Sequence, residues 1–193
     1  EEDAYFGSSV SQSGDLLAVG AYAGSPGGLS NAGAAYLYRV EANGSATYLD
    51  KITAPDGAAY DNFGGSISLS GDLLAVGAHN ADPNDAGAIY LYRVEANGST
   101  TYLDKITEPD AATTNYFGGS ISLSDDLLAV GTIYADSNVY SAGAIYLYRV
   151  EANGSTTYMD KMTASDGATG DYFGGSISQS GDLLVVGAYG SDP

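Results

Sequence analysis

The sequence repeats itself with a period of about 55 residues, and this constrains the fold more than any other feature. A Phe-Gly pair recurs four times, beginning at Phe6, Phe63, Phe117 and Phe173. The string YLYRVEANGS recurs unchanged from Tyr36, Tyr90 and Tyr146. The spacings are 57, 54 and 56 residues for the Phe-Gly pair, and 54 and 56 for the longer string. The chain is therefore expected to be a row of similar structural units.

Each unit is predicted to be two β-hairpins. In the second copy the strands are expected at 64–69 (strand A), 72–78 (strand B), 88–94 (strand C) and 100–106 (strand D). Asn97-Gly98 between strands C and D is a strong hairpin signal, because both residues tolerate the positive φ of a type I′ turn. No segment has the 3.6-residue apolar period of an amphipathic helix. Strand B is apolar on both sides, which indicates cover on both faces. These features predict an all-β fold of four-stranded antiparallel β-propeller blades.

The second copy contains Phe-Gly-Gly-Ser-Ile from Phe63, Asp-Leu-Leu-Ala-Val-Gly-Ala from Asp72 and Gly-Ala-Ile-Tyr-Leu-Tyr from Gly87. These strings resemble the FG-GAP repeat of integrin α-subunits and of related bacterial surface proteins, and the resemblance covers nearly the whole chain. It implies a seven-bladed propeller, of which this chain would supply about three and a half blades. The predicted repeats are 4–60, 61–114, 115–170 and a partial unit at 171–193. We expect the chain to be an excerpt of a seven-bladed or longer array. A filament of continuing blades is the alternative, because unpaired strand edges are templates for association.

Charge and composition exclude several classes of function. The formal net charge of −18 would repel nucleic acids and anionic membrane surfaces. The longest apolar runs, such as Leu16 to Val19, are far shorter than the roughly 20 residues of a membrane-spanning helix. Cysteine is absent, so disulfides and thiolate metal sites are excluded.

Calcium is the one cofactor that the sequence neither predicts nor excludes. Calcium-binding FG-GAP blades carry an Asp-rich loop between strands A and B, but here those loops are reduced to Ser-Gly-Asp turns, with Asp15, Asp72, Asp126 and Asp182 at the last position. Ca²⁺ takes about six to eight oxygen ligands, so these carboxylates are better explained as turn acceptors. The loops between strands B and C are richer, with Asp82, Asn84 and Asp85 as candidate metal ligands. A weak calcium site and ordinary loop polarity both explain them.

Two further patterns recur in every copy. Asn43, Asn97 and Asn153 each begin an Asn-Gly-Ser triplet that matches the N-glycosylation acceptor, although a turn role also explains these residues. The only cations are three arginines in strand C and three lysines in strand D. We expect them to form cross-strand charge pairs with the aspartates beside the lysines, Asp50, Asp104 and Asp160.

The copies differ mainly in the loops between strands B and C and between strands D and A. In a four-stranded antiparallel blade these loops emerge at the same end, so we place any ligand site on that face, which integrin-like propellers also use. The predicted ligand-contacting residues are Tyr22, His79, Asn80, Asp82, Asp85, Tyr134, Asp136 and Tyr140. Other tyrosines in or beside loops are Tyr5, Tyr60, Tyr116, Tyr172 and Tyr189, whereas those of strands C and D are expected to pack between blades.

Binding is favoured over catalysis. His79 is the only histidine, and neither a Gly-x-Ser-x-Gly elbow nor a phosphate-cradling loop is present. Aspartates that recur in every copy indicate scaffolding rather than one unique acid pair. We therefore expect a protein that is not an enzyme but an extracellular or cell-surface adhesion module, whose ligand is a surface protein or a glycan. The alternative is a structural repeat that associates with copies of itself as a filament or spacer.

Overall fold

The computed structural model describes residues 4–81, 86–110, 115–135 and 139–191. Within these ranges the regular structure consists of fourteen β-strands and one short 3-10 turn, Pro26–Gly28. The prediction of an all-β fold is confirmed. Among the same residues, no helix has the length and apolar character needed to cross a bilayer.

The strands form antiparallel sheets that are the blades of a β-propeller. Blade 1 contains β1 (Val10–Ser13), β2 (Leu16–Ala21), β3 (Ala34–Val40) and β4 (Ala46–Ile52). Blade 2 contains β5 (Ser66–Ser70), β6 (Leu73–Ala78), β7 (Ala88–Val94) and β8 (Thr100–Thr107). Blade 3 contains β9 (Ser120–Ser124), β10 (Leu127–Thr132), β11 (Ala144–Val150) and β12 (Thr156–Met162). The partial blade 4 contains β13 (Phe173–Ser180) and β14 (Leu183–Ala188). Strand order follows the sequence in every sheet, so the strands occupy positions A to D in turn.

The observed strands differ from the predicted ones mainly at turns. Strand C of blade 2 has the predicted bounds, but strand A begins two residues later than expected, at Ser66. The turn between strands C and D is also longer than the predicted type I′ turn. It is closed by the bonds from Gly98 N–H to Glu95 O and from Glu95 N–H to Ser99 O, and of the Asn-Gly pair only Gly98 has a positive φ. This is a longer turn with glycine at its left-handed position.

The hydrophobic core lies between neighbouring blades. Leu74 and Val76 of β6 pack in a cluster shared with blade 1, whereas Ala75 between them packs in a cluster shared with blade 3. Phe63 and Phe117 are fully buried in these two clusters. The expectation that strand B is covered on both faces is correct, since alternate residues of β6 face different blades.

Serines in strand A join each blade to the next one. Ser66 donates its hydroxyl hydrogen to Gly118 O (2.6 Å), and Ser68 Oγ accepts a hydrogen bond from Leu123 N–H (2.8 Å). Further along β5, Ser70 Oγ accepts from the N–H that begins the turn of blade 3 (2.9 Å). We call this alternating set the serine ladder. Equivalent bonds join blade 1 to blade 2 and blade 3 to partial blade 4.

A glycine in strand B allows this close approach. A Cβ atom on Gly77 would overlap both Ser66 Oγ and Gly118 O, and Gly20 and Gly131 are enclosed in the same way. No side chain fits at this position while the serine ladder keeps its geometry. The glycine of the Leu-Ala-Val-Gly motif is therefore a packing requirement of the blade junction.

The predicted charge pairing is wrong in its partners. Each arginine of strand C pairs with the turn aspartate that precedes strand B of its own blade, as Arg93 does with Asp72 (Nε to Oδ2, 3.5 Å). Arg39 Nε lies 3.2 Å from Asp15 Oδ2, and Arg149 Nη1 lies 3.6 Å from Asp126 Oδ2. This register follows from the pairing of strands B and C, in which Leu73 lies opposite Arg93.

Two of the lysines, Lys105 and Lys161, and two of the aspartates beside the lysines, Asp50 and Asp104, act between blades instead. Lys105 Nζ lies 2.6 Å from Oδ2 of Asp56, which belongs to the loop leading out of blade 1. Asp104 Oδ2 accepts hydrogen bonds from Thr156 of the next blade, from Oγ1 at 2.8 Å and from the backbone N–H at 3.2 Å. Asp50 binds Thr100 in the same way. A single sequence could not reveal these partners, because they depend on how the blades stack.

The junction between blades 2 and 3 contains a buried acid. Glu108 is 5% exposed, its Oε2 accepts a hydrogen bond from Asn115 Nδ2 (2.8 Å), and its Oε1 lies 2.7 Å from Tyr146 Oη. The same phenol also bonds Asp110. Burial is the main reason that the pKa of Glu108 is raised. A phenol has one hydrogen to donate, so both contacts are satisfied when Glu108 carries a proton.

Candidate binding face

The loops between strands B and C support the loops between strands D and A through backbone hydrogen bonds. At the first junction, Tyr60 and Asn62 donate their N–H groups to Ser30 O (2.8 Å) and Asn31 O (3.1 Å). At the third junction, Gly170 donates to Tyr140 O at 3.1 Å. The variable loops thus lie together at one end of the blades, as the strand order predicts. We call this end the loop face.

The Phe-Gly pair fixes where each loop ends. Phe63 N–H bonds Ala32 O at 3.0 Å, and the Phe63 ring meets Tyr90 edge-on at 5.5 Å between centroids. Gly33, with φ 84°, lies so close to the Phe63 backbone that a Cβ would overlap it. The Phe-Gly pair of one blade therefore packs against the Gly-Ala pair at the start of strand C of the preceding blade.

The residue before each of these phenylalanines is left-handed. The φ angles are 49°, 59°, 61° and 56° at Tyr5, Asn62, Tyr116 and Tyr172. Asparagine tolerates this conformation, but in a bulky residue it costs roughly 1–2 kcal/mol. Three of the four copies carry tyrosine there. The backbone does not require tyrosine, since Asn62 has the same conformation.

These tyrosines belong to a continuous row of rings on the loop face. His79 stacks on Tyr116 (centroids 5.2 Å apart, planes 17° apart), and Tyr116 meets Tyr134 edge-on at 5.0 Å. Tyr134 meets Tyr172 edge-on at 5.8 Å, and Tyr172 stacks on Tyr189 at 5.0 Å. We call these five residues the aromatic row. It extends from blade 2 to partial blade 4.

A groove of about 280 Å³ lies against three of the five residues of the aromatic row, His79, Tyr116 and Tyr189. Its lining residues are Gly65, His79, Tyr116, Gly119, Ile133, Gly175 and Tyr189. The glycines keep the groove open: a Cβ on Gly65 would meet the His79 ring, and a Cβ on Gly175 would meet the Tyr189 ring. The second glycine of the Phe-Gly-Gly sequence thus makes room for a ring above strand A.

The charged side chains of the loop face are all negative. Burial lowers the pKa of His79, so its imidazole is neutral at pH 7. The loops on this face contain no Lys or Arg, because all six cations lie in strands C and D. The loop residues that carry charge are carboxylates, such as Asp56, Asp110 and Asp166.

The predicted site residues divide into three groups. His79 and Tyr134 belong to the aromatic row, while Asn80 lies beside it and donates its Nδ2 hydrogen to Asn62 Oδ1 at 2.6 Å. Tyr22 stacks on Tyr5 in blade 1, and Tyr140 is 72% exposed. The remaining predicted ligand and metal residues, Asp82, Asn84, Asp85 and Asp136, lie outside the described residues.

Sequence reasoning missed Tyr116, Tyr172, Tyr189 and Ile133 as parts of this site. The repeat contains the signal that would have found them. Tyr116 and Tyr172 are the residues before Phe-Gly, whereas Ile133 and Tyr189 occupy the position just after strand B that His79 holds in blade 2. When the copies are aligned, the residue before Phe-Gly and the residue just after strand B are therefore the two repeat positions that supply these side chains.

A family model described as FG-GAP repeat matches the chain four times, at residues 1–38, 47–92, 101–148 and 156–193. The chain belongs to the FG-GAP repeat family. FG-GAP repeats are found in extracellular proteins of the adhesion type. No curated protein matches the chain significantly.

Solved structures agree with the FG-GAP fold. A crystal structure of a protein from Lactobacillus plantarum is similar to this chain with a TM-score of 0.58 and 15% sequence identity. The match covers 86% of this chain and 43% of that one, so the FG-GAP chain spans less than half the length of the similar protein. At this identity the likeness concerns the fold alone.

The turns between strands A and B do not fit the calcium site known from other FG-GAP repeats. The carboxylate of Asp72 is engaged by Arg93, and Ser13 Oγ accepts a hydrogen bond from Gly71 N–H (2.9 Å). Among the described residues, no three His, Asp or Glu side chains come together as a metal site. The loop candidates Asp82, Asn84 and Asp85 stay a prediction.

The glycosylation candidates lie in the turns between strands C and D of these FG-GAP blades. Asn43, Asn97 and Asn153 are exposed, and each Oδ1 accepts hydrogen bonds from the N–H and Oγ of the serine two residues later. The turn role is thus a physical reason for the Asn-Gly-Ser triplet. Glycosylation at these asparagines stays a prediction.

Proposed function

We propose that this FG-GAP chain is part of an extracellular or surface-attached protein that binds a partner through its loop face, without catalysing a reaction. The observation that carries the proposal is the aromatic row, which brings side chains from three successive blades into one groove. Loops on a rigid scaffold are where binding residues usually lie, and exposed aromatic side chains are enriched in binding surfaces. The extracellular setting is supported by the adhesion-type proteins in which FG-GAP repeats occur.

Tyrosine at a left-handed position supports the same proposal. Three copies accept the backbone cost of a tyrosine before Phe-Gly, although Asn62 occupies the same conformation at lower cost. Backbone strain of this kind clusters at functional sites. A role for the rings in recognition explains why the costlier residue is used.

Binding of the purified chain to cultured cells and to extracellular matrix, measured with surface-captured protein, tests the proposal. His79→Ala and Tyr134→Ala should weaken binding, because both residues belong to the aromatic row. Tyr48→Ala is the matched control, since Tyr48 is 55% exposed on strand D, away from the loop face. Equal binding by all four proteins would contradict the assignment of the loop face.

The alternative function is self-association through blade faces. Leu183 and Val185 of β14 are 73% and 68% exposed, whereas their counterparts in blade 1, Leu16 and Ala18, are 9% and 0% exposed. On blade 1, Phe6 is 57% exposed where Phe63 of blade 2 is fully buried. These surfaces have the apolar character that another blade of the same repeat would cover.

Light scattering over a range of concentrations tests this alternative. Polymers that disappear on Val185→Asp would support a filament or spacer. A monomer at every concentration would contradict it. The loop-face variants should not change the result, because they lie outside the surfaces that would associate.

A further inference from the structure

We infer that Asn43 is a site of spontaneous deamidation, and that the stacking of blades protects the same triplet at Asn97 and Asn153 from this reaction. These turns lie between strands C and D, at the end of the blades opposite to the loop face, so the reaction is independent of the proposed function. Asparagine is among the thermolabile residues of proteins. A glycine after it leaves the main-chain nitrogen unhindered by a side chain.

The reaction needs only the chain itself and water. The main-chain nitrogen of the glycine attacks Cγ of the asparagine and loses its proton. The bond from Cγ to the side-chain nitrogen breaks, and that nitrogen leaves as ammonia with the proton. Water then opens the resulting succinimide at either carbonyl and gives aspartate or isoaspartate. Base speeds the first step, because it removes the proton from the attacking nitrogen.

The three turns are alike in sequence and in internal bonding. Each contains Glu-Ala-Asn-Gly-Ser, beginning at Glu41, Glu95 and Glu151. In every turn the glycine N–H donates to the glutamate O at 2.8 Å, and the asparagine Oδ1 accepts from the serine N–H and Oγ. These bonds occupy both reacting groups, so a turn must open before it reacts. The sequence alone therefore predicts one rate for all three asparagines.

The glycines differ in what packs on them. Gly98 and Gly154 are buried, whereas Gly44 is exposed. A Cβ on Gly98 would lie 2.9 Å from Leu49 Cδ2 of blade 1. A Cβ on Gly154 would lie 2.8 Å from Leu103 Cδ2 of blade 2, but a Cβ on Gly44 would meet nothing within 4 Å in the described part of the chain. The preceding blade thus covers the glycine in blades 2 and 3 only.

Hydrogen bonds from the preceding blade hold the same two turns. Thr100, which follows the turn of blade 2, donates its N–H (3.2 Å) and its Oγ1 hydrogen (2.8 Å) to Asp50 Oδ2. Thr156 binds Asp104 at the same distances. The corresponding residue of blade 1 is Ala46, which has no hydroxyl to donate. The turns of blades 2 and 3 therefore open only by straining contacts between blades, and the turn of blade 1 opens without that cost.

Deamidation changes the chemistry of the turn in blade 1. It replaces the amide of Asn43 with a carboxylate, which adds negative charge, and it removes the nitrogen to which an N-linked glycan would be attached. Isoaspartate also places an additional methylene group in the main chain. The turn of blade 1 has room for this group, because nothing packs on Gly44. The rate of the reaction at each turn therefore reports whether a blade is stacked on it.

Ageing of the full, unglycosylated chain at a mildly alkaline pH, followed by mass spectrometry, tests the inference. Cleavage after Lys and Arg gives one peptide for each asparagine, 40–51, 94–105 and 150–161, and the three peptides differ in sequence. In the folded chain the first should convert at least about fivefold faster than the other two. In urea all three should convert at rates that agree within about twofold, because unfolding removes the contacts between blades.

Two substitutions remove the protection of Asn97. Thr100→Ala gives blade 2 the alanine that blade 1 has, and Leu49→Ala removes the side chain over Gly98. The double variant should speed the conversion of Asn97 about threefold or more. Asn153 in the same molecule is the internal control, and its rate should stay unchanged. General unfolding would speed both.

Ala46→Thr is the matched control for the hydroxyl itself. It should not slow the conversion of Asn43, because in the described residues no strand D precedes β1 to supply an aspartate. The inference is overturned if the three peptides of the folded chain convert at equal rates, or if their difference persists in urea. It is also overturned if Ala46→Thr slows Asn43 to the rate of Asn97, or if the double variant leaves Asn97 unchanged.

Discussion

Lys105 reaches back across a blade junction to Asp56, and its Nζ lies 2.6 Å from Oδ2 of that carboxylate. The other oxygen, Oδ1, accepts a hydrogen bond from Tyr90 Oη at 2.8 Å, and Lys105 also lies over the Tyr90 ring. The carboxylate of Asp56 thus contacts both strand C and strand D of the next blade. Asp110, Tyr146 and Lys161 form the same group at the following junction.

Asp56→Ala should destabilise the chain by about 1–2 kcal/mol at pH 7. The larger part comes from the buried Tyr90 hydroxyl that loses its acceptor, because the ion pair with Lys105 is partly exposed and screened by solvent. Urea denaturation measures the loss. Asp166→Ala is the matched control, since in the described residues no strand C or D follows it. An equal loss in both variants would contradict the role of the junction.

The part of the Asp56 contribution that depends on its negative charge should disappear in acid. Burial alone would raise the pKa of Asp56, but hydrogen bonds from Lys105 and Tyr90 hold it below its usual value. A carboxyl whose pKa is lowered by folding stabilises the protein above its unfolded pKa of about 3.9, and this stabilisation is lost as pH falls through the folded pKa. The stability difference between the parent and Asp56→Ala should therefore narrow as pH falls below the unfolded pKa of about 3.9, because the ion pair with Lys105 is lost whereas the neutral carboxyl still accepts from Tyr90 Oη. A difference that is constant from pH 7 to pH 2 would refute this explanation.

Glu108→Gln should stabilise the chain by about 1 kcal/mol at pH 7 to 8 and lose this advantage near pH 4. Burial is the main cause of the raised pKa of Glu108, and the negative charge of Asp110 raises it further. Hydrogen bonds from Tyr146 and Asn115 and the positive charge of Lys161 lower this pKa, but by less. Because the pKa of Glu108 is higher in the folded state than in the unfolded state, this side chain stabilises the native state most below the unfolded pKa of about 4.3. The stabilisation is lost as pH rises.

Unfolding free energies of the parent and Glu108→Gln between pH 4 and pH 8 check this prediction. The other copies have Ala54 and Ala164 at this position, so Glu108→Ala adds a variant that removes the acid altogether. A stability difference with the opposite slope would show that Glu108 is ionised in the fold.

Gly77→Ala should destabilise the chain by about 2–3 kcal/mol, because the added methyl group has no room beside Ser66 Oγ and Gly118 O. Ser66→Ala makes a useful comparison: it removes one hydrogen bond without adding volume and should cost about 1 kcal/mol. Thermal unfolding distinguishes the two. If Gly77→Ala cost no more than Ser66→Ala, the close approach of the blades would not limit this position.

Asp125→Gly should stabilise the chain by about 0.5–1 kcal/mol. Asp125 has a φ of 52° at the turn between strands A and B, where the other copies have Gly14, Gly71 and Gly181 with φ between 54° and 59°. The reciprocal change, Gly71→Asp, should cost a similar amount. Both are measured by urea denaturation in about 0.5 M salt, which reduces the effect of the altered charge. Changes of the same sign in the two variants would contradict the backbone explanation.

The sequence predicts the blades well because each strand is encoded locally. Strand C of blade 2 has the predicted bounds, since its apolar run ends where the turn begins. The turn type was wrong because Asn97-Gly98 also suits a longer turn with glycine in the left-handed position. Local propensity cannot decide between turns that share the same glycine.

The site was harder to predict, because its geometry arises between blades. His79 and Tyr134 were expected on the loop face, but the row that joins them depends on Tyr116, which lies in a different loop. Lys105 and Asp56 are separated by 49 residues, and only the stacking of blades brings them together. Contacts between repeats therefore need the period and the stacking direction, in addition to the pattern of each strand.

The serine ladder has a consequence for how such arrays change in evolution. Its bonds run from serine hydroxyls to backbone atoms, so a junction depends little on which copy supplies the next blade. Addition or deletion of one whole unit of the repeat would leave every remaining junction with the same bonds. Array length can thus change by duplication in whole-blade steps, while point mutations diversify the loops independently.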